Sequence, residues 1–498
     1  MVSQLVAFFR QGSQPAAGHR QEAFARVAPL PGAALTLGAG GGFVFATILT
    51  ITRLLNLPEG LWWSVLAQTH GHLQLYGWAG LFVLGVALHF LPRLRGAPLA
   101  FPQLLPWFLA AQVSSLLLRA LCQPLAAISS AGIWPAGLVI SGLLEVWGLG
   151  GILLMIGWTF SHGPALASRP AFTQVLPLFV TAFAALALAA LVNLVNMFQV
   201  ASSSALIPAT GDTLDVTLGL LGFLVPMALA MSARALPMYA GLEAFPRRLF
   251  RLIAAGYIIG LLFALIAPLA AASQLTVALA YRLAGAGTAL VGLMIGAFVL
   301  VFIQMMRKRS HLPARVVALA PEPEALAGQY RRQVKRERGA YGPFVALVAS
   351  AYLWALIGGL LLVLNGLAQV FDLAIPVSPD AARHSLALGF IALLIAGIAP
   401  RMLPGFSGGH IRSPGYVTAT LWLGNTAAVL RVGSLLVAPL LAQFGQQGSL
   451  LDNVLFGLSG PAGLAFAICL AVNLWPAIFV GQRGQLTPAD ANDHDSTP

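Results

Sequence analysis

The sequence predicts an all-α membrane protein with about twelve transmembrane helices in three pseudo-repeated four-helix modules. Three observations predict it: scarce charge, apolar runs of bilayer length along the whole chain, and a proline-centred motif that returns three times. Of 498 residues, 58% are hydrophobic and 8% charged, against roughly 25% charged in a soluble globular domain. A water-surrounded fold of this size has too little interior for so much apolar surface. In lipid the backbone must satisfy its own hydrogen bonds, which leaves helices and closed barrels. Barrel strands alternate polar and apolar residues; these runs are continuously apolar, so helices are expected.

The expected spans are 33–55, 70–92, 101–123, 134–159, 172–199, 214–237, 249–271, 278–305, 343–368, 384–403, 416–443 and 454–480. Runs of about 20 residues cross a ~30 Å hydrocarbon core at 1.5 Å per residue. The chain therefore divides into an N-terminal tail (1–32), helices one to eight (33–306), a basic linker (307–341), helices nine to twelve (342–480) and a polar C-terminal tail (481–498).

Arginine placement sets the expected orientation. Arg10, Arg20 and Arg26 precede the first helix, Arg93 and Arg95 follow the second, and Arg247, Arg248 and Arg251 follow the sixth. The linker adds Arg307, Lys308, Arg309, Arg315 and a cluster from Arg331 to Arg338, while Glu59, Asp212, Asp215, Asp372, Asp380 and Asp452 fall in the opposite loops. Both termini are expected in the cytoplasm of a bacterium, with the chain in the inner membrane. The linker, which contains Pro321-Glu322-Pro323, is expected to be cytoplasmic and flexible. This distribution accounts for the net charge of +12 without nucleic acid as a partner; membrane lipid is the partner expected. Leu5–Phe9 is too short, and too soon followed by Arg10, to be a cleavable signal peptide. Cys122 and Cys469 fall in different helices, so no disulfide framework, CxxC zinc site or CxxCH heme attachment is available.

The repeat is the most informative feature. LHFLPRLRG (88–96), ARALPMYAG (233–241) and PRMLPGFSG (400–408) end alike. Twenty residues before Pro92, Pro237 and Pro404 stand His72, Thr217 and His384, and fifteen before stand Gly77, Gly222 and Gly389. Helices two, six and ten thus occupy equivalent places. With the termini inside, these helices start at the outer face, and His72 and His384 lie at one depth near it. If the modules surround a pseudo-threefold axis, the two imidazoles face each other across an enclosed space, as axial ligands of a heme must. The glycines then let a flat ring approach the helix backbone.

The other histidines separate by depth. His19 and His494 are in tails, and His162, His311 and His410 in cytoplasmic loops or helix ends. His89 is about 25 Å along the helix from His72 and cannot share a metal with it. His70 and His72 point about 200° apart, so they serve different sites: His70 is open to a second metal, a helix cap or interfacial water. Arg119 and Arg431, on equivalent helices three and eleven, are candidates to hold heme propionates, with snorkelling or an Arg119–Glu145 pair as the alternative. Asn193, Asn196 and Asn365 are expected to join helices.

Twelve helices, three pseudo-repeats and these histidines resemble subunit I of the heme-copper oxidases. More specifically, THGHLQLYGWAGLFVLGVALHFLPRLRG (69–96) and RHSLALGFIALLIAGIAPRMLPGFSG (383–408) resemble the NnrS family, heme- and copper-containing membrane proteins associated with nitric oxide and nitrosative stress. SARALPMYAG (232–241) is similar to the family's arginine-proline turn, whereas Leu73 and Gln74 replace the usual acidic residue after HxH. The resemblance implies heme b, copper as a second metal, nitric oxide as ligand and an electron-transfer partner, with His70, His72 and His384 as metal ligands. Oxygen reduction is not expected, because no histidine lies between His162 and His311 to supply the oxidase copper site. A transporter on the same repeat and a heme-free respiratory subunit are the readings from other classes.

Overall fold

The computed structural model describes residues 22–203, 205–240, 244–273, 277–307, 335–375, 377–444 and 450–479. Most of the N-terminal tail, the linker over 308–334 and the C-terminal tail from 480, with His19, His311 and His494, lie outside the described residues. The described residues contain no strand, and twelve helices among them are long and apolar enough to cross a membrane: α1 (Pro29–Leu54), α2 (Leu61–Arg95), α3 (Pro102–Ile128), α4 (Ile133–Ser161), α5 (Pro170–Ala201), α6 (Ala209–Pro237), α7 (Arg247–Ala270), α8 (Ala278–Arg307), α9 (Phe344–Phe371), α10 (Pro379–Ser407), α11 (Pro414–Gln443) and α12 (Leu450–Phe479). The chain is a multi-pass membrane protein. Each helix overlaps its expected span, falling short of it by one residue at most. The largest difference is at α2, which begins at Leu61 rather than 70, because LWWSVLAQ is polar enough to interrupt the hydropathy run yet forms helix. His70 and His72 therefore lie about 15 Å inside α2 rather than at its end.

Local sequence explains the helix ends. Proline opens α1, α3, α5, α10 and α11, where its missing N–H costs nothing. The Ser378 and Ser413 hydroxyls accept from the backbone N–H of Asp380 and Gly415 at 3.3 and 3.2 Å. The repeated Pro–x–x–x–Gly endings are C-caps: Gly96 and Gly408 are left-handed (φ 77° and 74°) and donate their N–H to Pro92 and Pro404 carbonyls at 2.8 and 2.9 Å.

Nine helices form three outer arcs, α11–α12–α1, α3–α4–α5 and α7–α8–α9, around α2, α6 and α10. The apolar windows of the inner three are 83%, 78% and 78% buried, and no outer helix exceeds 50%, so the inner three carry the interior chemistry. Outer helices turn Trp107, Leu154 and Trp422 outward, a surface suited to lipid. Lipid is as apolar as leucine, so close packing has to hold the arcs together: a Cβ on Gly292 of α8 or Gly359 of α9 would strike the other's backbone carbonyl.

Each inner helix widens into a π-helical segment of eight residues: Leu73–Gly80 in α2, Thr217–Leu224 in α6 and Ser385–Ala392 in α10. The three segments pack against one another and start nineteen or twenty residues before Pro92, Pro237 and Pro404. The glycines at these offsets each face a neighbouring outer helix. A Cβ on Gly389 would lie 2.5 Å from Trp354, one on Gly222 would lie 2.6 Å from Ala185, and Gly77 faces Leu116 and Leu37.

Candidate functional site

The HxH pair lies immediately before the π-helical segment of α2, where two residues of helix turn the side chains about 200° apart. His72 faces α3, α4, α5 and α6. It is buried with Glu145, Arg119, Asn193, Asp215 and Tyr76. The Arg119 guanidinium donates to His72 Nδ1 at 2.7 Å, and His72 Nε2 contacts Glu145 Oε2 at 3.1 Å. The neutral imidazole with its proton on Nε2 satisfies both contacts. Asp215 Oδ2 lies 3.4 Å from Nδ1, and Tyr76 donates its hydroxyl to Asp215 Oδ1 at 2.8 Å. Asn193 closes the set, donating to Glu145 and accepting from Arg119. Arg119 Nε donates to Gln123, which in turn donates to the Ala205 carbonyl at 3.2 Å.

His70 faces the other way, toward α1, and its Nδ1 lies 2.8 Å from the Gly42 carbonyl. A carbonyl only accepts, so Nδ1 carries the proton and Nε2 holds a lone pair. Gly42 ends a π-helical turn (Gly38–Gly42), and a Cβ there would press on Gln74 at 3.0 Å, so glycine permits the close approach of α1 to α2. His384 repeats the arrangement on α10. Its Nδ1 donates to the Asp380 carbonyl at 2.9 Å, again leaving Nε2 with a free lone pair.

Both histidines line one cavity of about 280 Å³ walled by α1, α2, α6, α10, α11 and α12. Arg431 also lines the cavity. One of its terminal nitrogens is buried without a hydrogen-bond partner among the described residues, and its guanidinium stacks over Phe456 at 4.3 Å. Phe43, Trp78 and Leu224 supply apolar walls. At the rim Arg383 pairs with Asp380 at 2.9 Å. A Cβ on Gly71, between the two histidines, would meet open space.

The expected residues are therefore redistributed. The structure brings His384 together with His70 and Arg431, while His72 and Arg119 lock into the polar cluster. His72 also borders the cavity, but both its ring nitrogens are engaged. Arg119 is absent from the cavity lining, and it meets Glu145 through His72 and Asn193 rather than directly. Among the described residues no group of three or more His, Cys, Asp or Glu side chains is placed to hold a metal ion, so His70, His72 and His384 do not converge on one ion. Asp215, counted among the outer-loop acids although it falls at the start of the expected sixth span, is buried inside α6, and Asp452 is buried in α12. Asp212 and Asp380 line the cavity. His89 packs between Phe24 and Phe406 at the far end of α2, with ring centroids 5.3 and 4.1 Å away. Asn193 and Asn196 do join helices or their connections.

No protein-family model matches the chain, and comparison with curated proteins gives no match.

Proposed function

We propose that this chain is a heme-binding inner-membrane protein of the NnrS-like branch, with heme b held between His70 of α2 and His384 of α10, acting in nitric oxide response or related redox chemistry. The observation that carries the reading is the matched state of these two imidazoles. Each commits Nδ1–H to a backbone carbonyl and presents Nε2 to the same cavity, and such a carbonyl bond fixes the tautomer and ring orientation of a metal-ligating histidine. Arg431, with a buried nitrogen lacking a partner, is placed to receive a propionate through a charge-assisted hydrogen bond. Heme held there would pass single electrons, or take a diatomic ligand where one imidazole gives up its place. The protein's part is to orient the imidazoles, neutralise the propionate and wall out lipid.

The three π-helical segments support the reading of α2, α6 and α10 as repeated elements, and the arcs around them support a frame like that of heme-copper oxidase subunit I. Copper has a weaker basis, because His72 is engaged at both nitrogens. The cytoplasmic placement of both termini rests on the arginine distribution. A transporter on the same repeat is the second reading, favoured by the buried polar cluster around His72 and the widened inner helices. In that cluster both ring nitrogens of His72 are engaged, whereas His70 and His384 each keep Nε2, and Arg431 one buried nitrogen, without a partner among the described residues.

The absorption spectrum of the purified protein tests the proposal. Six-coordinate heme b gives sharp low-spin bands. A protein that stays colourless, and does not acquire those bands on adding hemin, has no such site.

A further inference from the structure

A second cavity, of about 100 Å³, lies between α2, α6 and α10 alone. Its origin is visible in the helix packing. The inner helices meet through their π-helical segments, but the stretches that follow, Leu81–Arg95, Val225–Ala240 and Leu393–Ser407, make no comparable contact with one another. The axis of the bundle opens where they diverge.

The lining is apolar: Phe82, Met227, Met231 and Ile395 are typical, and Ser232 supplies its sole polar side chain. A water held inside a protein needs two to four polar partners, and dry apolar cavities of ~150 Å³ take up benzene or xenon. The space therefore favours an uncharged, apolar guest of a few heavy atoms over water or an ion. It also adjoins the histidine cavity. Ala79, Leu224 and Ala392 line the first cavity, and Phe82, Met227 and Ile391 line the second. On each helix the two linings are no more than one turn apart.

We propose that this inner cavity is a binding site for small apolar gas molecules, which exchange with the histidine cavity along the axis between α2, α6 and α10. The exchange part rests on the heme reading; the site itself does not.

Xenon is the probe. Crystals of the purified full-length protein under xenon pressure are expected to show xenon between the three inner helices. Ala228→Phe, which fills the cavity from α6, and Ala399→Leu, which fills it from α10, should each remove that xenon while leaving the unfolding temperature within a few degrees of the wild type. Absence of xenon there in the wild type, or its persistence in both variants, overturns the site. The exchange is read on heme-loaded protein: after photolysis of bound carbon monoxide, filling the cavity should change the slow rebinding phase several-fold, and unchanged kinetics overturn the exchange. A protein without heme bands would sink the heme reading, while the xenon experiment would still decide the cavity.

Discussion

Two histidines one residue apart on α2 live in opposite surroundings. His72 lies in a closed cluster, where its neighbours Glu145, Arg119, Asp215, Asn193 and Tyr76 are bound to one another. His70 borders an open cavity with one nitrogen pinned and one free, opposite His384 in the same state. The closed cluster ties α2 to α3, α4, α5 and α6 and has little capacity left for a ligand. In the cavity, one Arg431 nitrogen and Gln74 Oε1 are buried without hydrogen-bond partners among the described residues. The contrast teaches that a histidine's second partner decides its role: the lone pair of His72 Nδ1 accepts from Arg119, whereas the Nε2 lone pairs of His70 and His384 remain for a ligand.

The sharpest way to break this contrast is to remove a charge from the closed cluster. Arg119→Ala leaves Glu145 and Asp215 without their buried cation, and breaking a buried ionic set costs about 3–5 kcal/mol. We expect a large loss of folded protein in detergent, measured by thermal unfolding. A change below ~1 kcal/mol would mean that the cluster is not structural. His72→Ala should cost less, about 1–3 kcal/mol for partners left unpaired, and its heme spectrum should match the wild type. Loss of the low-spin bands in that variant, with the fold intact, would return His72 to the role of axial ligand. The smallest effect is expected at the cavity wall. Arg431→Gln removes a charge-assisted contact and should speed heme loss to an acceptor protein about tenfold, equivalent to roughly 1.4 kcal/mol, with little change in unfolding temperature. Arg119 lies on α3 in the closed cluster and Arg431 on α11 at the cavity, so this pair of substitutions separates a structural arginine from a ligand-holding one.

Much of the fold is legible in the sequence, because a bilayer imposes a length and a polarity on every span. The Pro–Gly endings are also legible, and Gly96 and Gly408 show why: the helix needs a left-handed residue to close its last carbonyls. The site is legible only in part. His70, His72, His384 and Arg431 stand out as polar residues in apolar helices, but their assignment depends on partners 28, 73 and 143 residues away, namely Gly42, Glu145 and Asp215. Asp215 stands at the edge of the expected sixth span, in the polar stretch ATGDTLDV. It is buried because Tyr76 and His72 meet it across the interior. The π-helical segments leave no sequence signature beyond the regular offset from the prolines.

The most direct measurement is the optical spectrum of reduced protein in three single variants, His70→Ala, His384→Ala and His72→Ala, each normalised to folded protein. His70→Ala and His384→Ala should each lose the sharp low-spin bands or convert them to a five-coordinate form, at a stability cost of no more than about 1.5 kcal/mol for one lost hydrogen bond. His72→Ala should keep those bands despite its lower stability. Low-spin bands that persist in His70→Ala and vanish in His72→Ala would contradict the account and identify the other histidine of the pair as the ligand.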